Sequence, residues 1–302
     1  LSNAVTTGTI LTGADLSKTN LTGFDLSGMD LTEMKLTGAD LSNAVLTETI
    51  MAGADLRRTN LSDVDLSGWD LTGTILTGAD LTNAVLPSDY LSQNDFTSTV
   101  FDGVDLSGKD LTGSVFQFGS FKNTDMQNAN LSATDFVQVD FTEIKNRSLA
   151  GTDLSRASFA HSNLIGVSLD NAILKATNFW QTDLSGQDFT VISGASSQGS
   201  VFIEANLSNS NFEGVDLSHQ EEYHKVFKNK AYLKNLSYIQ VAKDLWGDVQ
   251  HVFIISLEVR GNDLIVGYLL FNNFKNANLE NANFKNADLR YAGFYSAELT
   301  NA

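Results

Sequence analysis

The chain has 302 residues, a formal net charge of −17 and no cysteine. The lack of thiols excludes disulfides and thiolate metal sites and leaves cytoplasmic and secreted locations equally open. Its acidity argues against direct nucleic-acid binding, because phosphates need a basic surface, and no apolar run approaches the roughly 18–20 residues of a membrane helix.

Residues 1–5, LSNAV, repeat residues 41–45, and the first residue is Leu1 rather than Met; further repeats are expected before it. From Leu11 to Phe141 every fifth residue is Leu, Phe or Met, at 27 consecutive positions. Neither a helix nor a simple strand has this beat. It requires a chain that turns a corner every five residues and returns one large apolar side chain to a common axis. Around each such centre the unit reads A-(D/N)-L-(S/T)-G, as in Ala14, Asp15, Leu16 and Ser17. The centre is core, because a coil must bury one large apolar group per side. The residue two before it, as at Ala39, Ala54, Thr59 and Ala79, is small because little room remains near a narrow axis. Two after it Gly is frequent, as at Gly13, Gly28, Gly53 and Gly78, and suits a corner with φ > 0. The Asp or Asn before the centre either faces water or bonds to the local turn backbone. Four such sides make a coil of 20 residues, an expectation from the five-residue beat.

This motif resembles the pentapeptide-repeat family, with consensus A-(D/N)-L-x-x, over residues 1–217 and 272–302. The resemblance implies an all-β fold, a right-handed quadrilateral parallel β-helix with the centre and the small residue pointing inward. Met29, Trp69 and Lys109 depart from it, filling the small slot of corresponding units. Lysine cannot sit unpaired in a narrow apolar core, so the corner at Lys109 is expected to change geometry and send the side chain outward.

A second period lies on the first. Residues 11–50 and 51–90 align without gaps at 24 of 40 positions, which reads as duplication of a pair of coils. The duplication predicts one outer edge that carries Asp25 with Asp30, Asp65 with Asp70, and Asp105 with Asp110 in alternate coils. Val45 with Ile50, and Val85 with Tyr90, fall between them. With coils about 4.8 Å apart, acidic pairs recur about every 10 Å. These ten residues are the candidate interaction surface, and the apolar pairs suit a partner or lateral self-association.

The rhythm slips three times. Between Phe141 and Leu149 three extra residues enter near Lys145–Ser148, and residues 191–200 read as a loop. Residues 218–271 lack the motif. There 231–248 has the spacing of an amphipathic helix, and 252–259 and 264–271 read as two strands about a turn at Arg260 to Asp263. Leu264 and Leu269 share the five-residue beat of Phe274, so the second strand is expected to dock onto the coil stack. The expected organisation is a β-helix over 1–217, a small α/β helix-plus-hairpin insertion over 218–271, and repeats that continue the β-helix over 272–302.

Reactive constellations are sparse. His219 and His224 flank Glu221 and Glu222, but one such pair does not make the convergent ligand set a metal needs. His161 lies among Ser158, Ser162 and Asp153, in an array where Ser and Asp recur everywhere. No phosphate loop or cofactor motif is present. The expectation is a non-enzymatic acidic scaffold with a protein partner and no cofactor or metal. The alternative is a DNA mimic binding a type II topoisomerase, a role the family resemblance implies for some of its members. Residues 11–141 carry a net charge of −13 over about 34 Å, within a factor of two of the charge density of duplex DNA. Against this, Asp residues encircle the coil rather than form a stripe. Ice binding by a flat Thr array is a minor third reading. Thr12, Thr32, Thr72 and Thr112 share a side, but Asp30, Asp70 and Asp110 adjoin them.

Overall fold

The computed structural model describes residues 11–192, 199–213, 215, 217, 272–287, 289 and 292–302. It also describes the backbone of three strands, β1 (Glu222–Phe227), β2 (Val252–Arg260) and β3 (Asp263–Leu270). The chain divides into two compact units, Leu1–Ile173 and Leu174–Ala302.

In the first unit the regular five-residue sides share one local cause. The carbonyl of a centre accepts the N–H three residues on, as in Ala39 to Leu36 at 2.8 Å and Ala54 to Met51 at 3.0 Å. The third residue of that turn is left-handed: Gly38 has φ 68° and Gly53 69°, but Glu33, Glu48 and Arg58 take the same corner at 56–58°. Glycine is thus favoured rather than required, because the corner lies at the coil surface, where a Cβ on Gly13 or Gly28 meets nothing within 4 Å. Between coils, residues before the centres form parallel bridges to counterparts 20 residues on, as in Asp15 to Lys35 to Asp55 to Ile75 and Asn20 to Asp40 to Asn60 to Asp80. A coil therefore consumes twenty residues and four turns, a parallel β-solenoid.

The centres are the core. Leu36, Leu56, Leu61 and Leu66 are fully buried, and Leu76 is 2% exposed. From Phe96 onward phenylalanines take over some columns of centres, while Leu106, Leu111 and Leu131 remain in others, and the rings stack one coil apart: Phe96 on Phe116 at 5.2 Å, Phe116 on Phe136 at 5.0 Å, Phe136 on Phe159 at 5.2 Å. A second column, Phe101, Phe121 and Phe141, meets the first edge to face. Both orientations suit the ring quadrupole. Hydroxyls in the small slot are satisfied rather than exposed. Thr59 donates to the Leu36 carbonyl at 2.8 Å, Thr99 to Leu76 at 2.8 Å and Thr124 to Phe101 at 2.7 Å, each reaching back one coil.

That carbonyl explains the oversized residues. Trp69 places its indole N–H 3.4 Å from the Leu46 carbonyl, and Lys109 its Nζ 3.4 Å from Leu86 and 3.1 Å from Pro87 carbonyls. Lys109 therefore does not swing out into water; it lies half-buried with its charge on two backbone oxygens. The changed geometry is one coil earlier. Residues 87–90 make no regular turn, Pro87 is buried, and Asp89 is exposed instead of filling its slot. Lys109 is the oversized residue that reaches this segment, through the Pro87 carbonyl.

The first slip is a 3-10 turn at Lys145–Arg147, after which bridge spacing rises from 20 to 23: Asn130 pairs with Asp153 and Asp135 with Ser158. In the second unit Asn178 pairs with Val201 and Asp183 with Asn206, again 23 apart, so the stretch containing 191–200 also adds three residues to its coil. Across the third slip the spacing is 72: Val201 bridges Asn273, Asn206 bridges Asn278 and Asn211 bridges Asn283. Phe202 stacks on Phe274 at 4.9 Å, and the Asn272 amide donates to the Leu217 carbonyl at 3.0 Å. The solenoid of this unit thus resumes directly on the coil it left.

The intervening strands form an antiparallel sheet of order β1-β3-β2. The two hairpin strands lie where the apolar runs place them. β3, however, is the central strand of that sheet rather than a parallel side of the solenoid, so the shared beat of Leu264 and Leu269 is not a coil position. β1 escapes a pattern-based reading because EYHKVF lacks clean alternation of apolar and polar residues. The helix expected over 231–248 lies outside the described residues.

The core predicts an asymmetric mutational response. Phe116→Leu, a swap the array itself makes at other centres, should cost under about 1.5 kcal/mol. Phe116→Ala should cost about 3–5 kcal/mol, measured by urea unfolding.

Candidate interaction surface

Residues before the centres point outward, and their chemistry alternates from coil to coil on two sides. The bridges Asp25 to Val45, Asp30 to Ile50 and Asp65 to Val85 put an acidic residue beside an apolar one in the next coil. All six acids of the candidate surface are exposed. The apolar members are too: Val45 47%, Ile50 55%, Val85 53% and Tyr90 56%. Tyr90 differs in backbone: it sits on the irregular 87–90 segment with φ 66°. Among the described residues no bridge joins Val45 to Asp65, Ile50 to Asp70 or Val85 to Asp105.

The acids hold the turn as well as facing water. Each accepts the N–H two residues on: Asp25 from Ser27 (3.0 Å), Asp30 from Thr32 (3.0 Å), Asp65 from Ser67 (2.9 Å), Asp70 from Thr72 (2.8 Å), Asp105 from Ser107 (2.9 Å) and Asp110 from Thr112 (3.1 Å). Hydrogen bonds from the Ser or Thr side chain and then its backbone hold Asp25, Asp30, Asp65, Asp70 and Asp105 below the usual carboxylate range. One oxygen is thus fixed and the charge persists at neutral pH. The interchange of Asp with Asn at this position, as at Asn20 and Asn60, is the sequence signal for this role, since the two share only the acceptor oxygen; Asn60 also accepts from Ser62 at 3.0 Å. Among the described residues no Lys or Arg pairs with Asp25, Asp30, Asp65, Asp70 or Asp110, whereas Asp55 pairs with Arg57 and Asp125 with Lys145.

The second unit uses amides where the first uses charge. Asn206 donates to Asp183 at 3.1 Å and Asn283 to Asn211 at 3.1 Å, forming side-chain ladders between coils. Trp180, isolated in the sequence, is part of an exposed cluster: Trp180 and Gln181 both donate to Glu204, and Lys275 lies 6.0 Å from the Tyr295 ring. Gln181 chiefly, aided by Trp180, Asn276 and Lys275, holds the Glu204 carboxyl below its ordinary range.

Two of the hydrolase-like residues are engaged by backbone. Ser162 is buried; its hydroxyl donates to the Phe136 carbonyl at 2.6 Å and accepts from the Val139 N–H at 3.0 Å. Asp153 is turned to the Ser155 N–H. His161 occupies a left-handed corner at φ 61°. Among the described residues no three His, Cys, Asp or Glu side chains gather to hold a metal. His219 and His251 lie outside those residues. A cavity of about 320 Å³ is lined by Gly119, Ser120, Phe121, Lys122, Asp140 and Glu143. Ser120 there donates to Asp102 at 2.6 Å, and Lys122 pairs with Glu143 at 3.5 Å.

A family model described as pentapeptide repeats matches in eight copies within residues 1–86, 110–144, 152–218 and 273–302. No curated protein sequence matches the chain. Among solved structures, HetL, a pentapeptide repeat protein involved in heterocyst differentiation regulation in the cyanobacterium Nostoc sp. strain PCC 7120, is 21% identical. Its match covers 95% of this chain and 93% of that one, with a TM-score of 0.34. Full-length QnrB1, a plasmid-mediated fluoroquinolone resistance protein, is 19% identical over 65% of this chain and 83% of its own, with a TM-score of 0.24. Rfr23, a pentapeptide repeat protein of the cyanobacterium Cyanothece 51142, is 18% identical over 48% of this chain and 88% of its own, with a TM-score of 0.13.

The turn-holding role of the acids sets the direction of pH dependence. Their folded values are depressed, so the stability they contribute is complete above the unfolded value of about 4 and is lost as pH falls through the folded values. Thermal denaturation followed from pH 7 to 2 should be flat down to about pH 4 and decline below it. At pH 7 Asp65→Asn, which keeps the acceptor, should leave the midpoint nearly unchanged, and Asp65→Ala should lower it.

Proposed function

The chain belongs to the pentapeptide-repeat family, and from that premise we propose that it is a right-handed quadrilateral β-helix working as a non-enzymatic, acidic scaffold for a protein partner. Residues 1–217 and 272–302 build the rod, and 218–271 form an insertion carried by it. The observation that carries this reading is the outer surface. Exposed Val45, Ile50, Val85 and Tyr90 alternate with unpaired, ionised aspartates on a rigid backbone, an arrangement suited to recognition rather than turnover. Ser162, which follows His161 in sequence, is spent on core hydrogen bonds.

Mimicry of duplex DNA toward a type II topoisomerase is the second reading, favoured by the persistence of aspartate charge in the first unit. Encirclement by that charge weighs against it, because a DNA-binding saddle contacts one stripe. A supercoiling assay separates the two. The scaffold reading predicts no effect of the protein on gyrase at micromolar concentration. Inhibition that Asp65→Asn, Asp70→Asn, Asp105→Asn and Asp110→Asn together abolish establishes mimicry instead.

The insertion reading yields its own prediction. Leu217 and Asn272 already touch, and a regular repeat needs two residues between them. Replacing 218–271 by Ser-Gly should restore the five-residue beat and leave a folded protein, with its circular dichroism and cooperative melting retained. Loss of cooperative unfolding would make the segment part of the structural core.

A further inference from the structure

We propose that the row Asp25, Val45, Asp65, Val85 and Asp105 is a docking track for an amphipathic helix whose contacting stripe alternates an apolar residue with Lys or Arg; this rests on the scaffold reading and names the partner's chemistry. Bridges set Asp25 beside Val45 and Asp65 beside Val85 at the strand spacing of about 4.8 Å, and the twenty-residue coil carries the alternation on to Asp105, so each kind recurs about every 9.6 Å. An α-helix advances 1.5 Å per residue, so seven residues cover about 10.5 Å and half that distance falls at the third or fourth residue. Residues i, i+3 or i+4, and i+7 lie on one helix face. A stripe that alternates apolar and cationic residues at this spacing therefore meets Val and Asp in turn, and a tilt of about 24° removes the residual mismatch.

Other backbones fit less well. An extended strand turns i and i+3 to opposite faces. A polyproline helix brings one residue to the surface every three, about 9.3 Å, and so addresses the acids or the valines but not both. The negative track repels nucleic acid and anionic lipid surfaces.

The row is built for this partner in two further respects. Val45 and Val85 are about half exposed on a bridged backbone, so little conformational freedom is lost on docking. One oxygen of each aspartate is held by the turn N–H, at 3.0 Å for Asp25, 2.9 Å for Asp65 and 2.9 Å for Asp105. The carboxylate is thereby oriented before a cation arrives. The neighbouring side repeats the alternation at Asp30, Ile50, Asp70, Tyr90 and Asp110, but it has one bridged acid–apolar pair where the first has two, and Tyr90 sits on irregular backbone, which is why the track is assigned to the first.

The test uses the full chain and a synthetic peptide of about three heptads with one Leu per heptad and one Lys midway between successive leucines. Its control has the same composition with Leu and Lys permuted to opposite faces. By fluorescence anisotropy the striped peptide should bind at least tenfold tighter than the permuted one. The double substitution Val45→Lys with Val85→Lys should lose at least tenfold. The triple substitution Asp25→Asn, Asp65→Asn and Asp105→Asn, which preserves the turn acceptor, should weaken binding and flatten its salt dependence, with circular dichroism unchanged in both variants. Equal affinity for the two peptides, no binding of either, or unchanged affinity in either variant overturns the docking track. None of these outcomes touches the scaffold reading, which stands or falls on the supercoiling assay.

Discussion

The parallel backbone ladder between coils is the constraint on which the other features of each unit depend. Residues before the centres pair with neighbouring coils: Asp55 donates to the Met34 carbonyl, accepts from the Leu36 N–H, and is bridged to Lys35 behind and Ile75 ahead. This sets a rise of about 4.8 Å per coil. The same rise brings phenylalanines within 5.0–5.2 Å in the Phe96, Phe116, Phe136 and Phe159 column, so backbone pairing and aromatic stacking reinforce one another. It also leaves a narrow interior, so the slot beside most centres is small or hydroxylated, with Met29, Met34 and Trp69 as buried exceptions. Trp69 instead turns its indole N–H to the Leu46 carbonyl, and Lys109 turns its ammonium to the Leu86 and Pro87 carbonyls at the irregular 87–90 segment.

The ladder also explains what the fold tolerates. A three-residue insertion at Lys145–Arg147 changes the bridge spacing from 20 to 23 without interrupting the bridges that follow. Within the second unit a spacing of 72 is absorbed as readily, because the chain leaves at Leu217 and returns beside it at Asn272. Coil edges are surface, so a segment added there disturbs neither the core nor the ladder. A fold of this kind exports variation to its skin.

What could be read from the residues follows the same division. Inward positions were legible, because a strict five-residue recurrence of Leu, Phe and Met fits neither the helical nor the strand period. The left-handed corner was legible from its glycines, though not its indifference to Glu33 or Arg58, which comes from the open space around it. Lys109 misled, because the composition of a slot does not disclose which backbone carbonyls are within its reach. Strand β1 was missed for want of alternation, while β2 and β3 carry apolar runs that mark them. That many residues before the centres are exposed follows from periodicity, yet the role of the acids among them as turn acceptors depended on geometry. Partner chemistry is weaker still in sequence, since it lives in the spacing of side chains across coils rather than along the chain.

The proposed function is placed outside the ladder, in the exposed alternation of carboxylate and apolar side chains and in the segment between Leu217 and Asn272. That conclusion depends on which side chains face in. The absence of native cysteine allows single thiols to be placed one at a time at residues 55–66 and their reaction with a water-soluble disulfide reagent to be timed in the folded protein. An inward column of centres gives slow reaction at 56, 61 and 66 and fast reaction at 55, 57, 58, 60 and 65. Fast reaction at 56 and 61, or protection without a five-residue period, is incompatible with such a column.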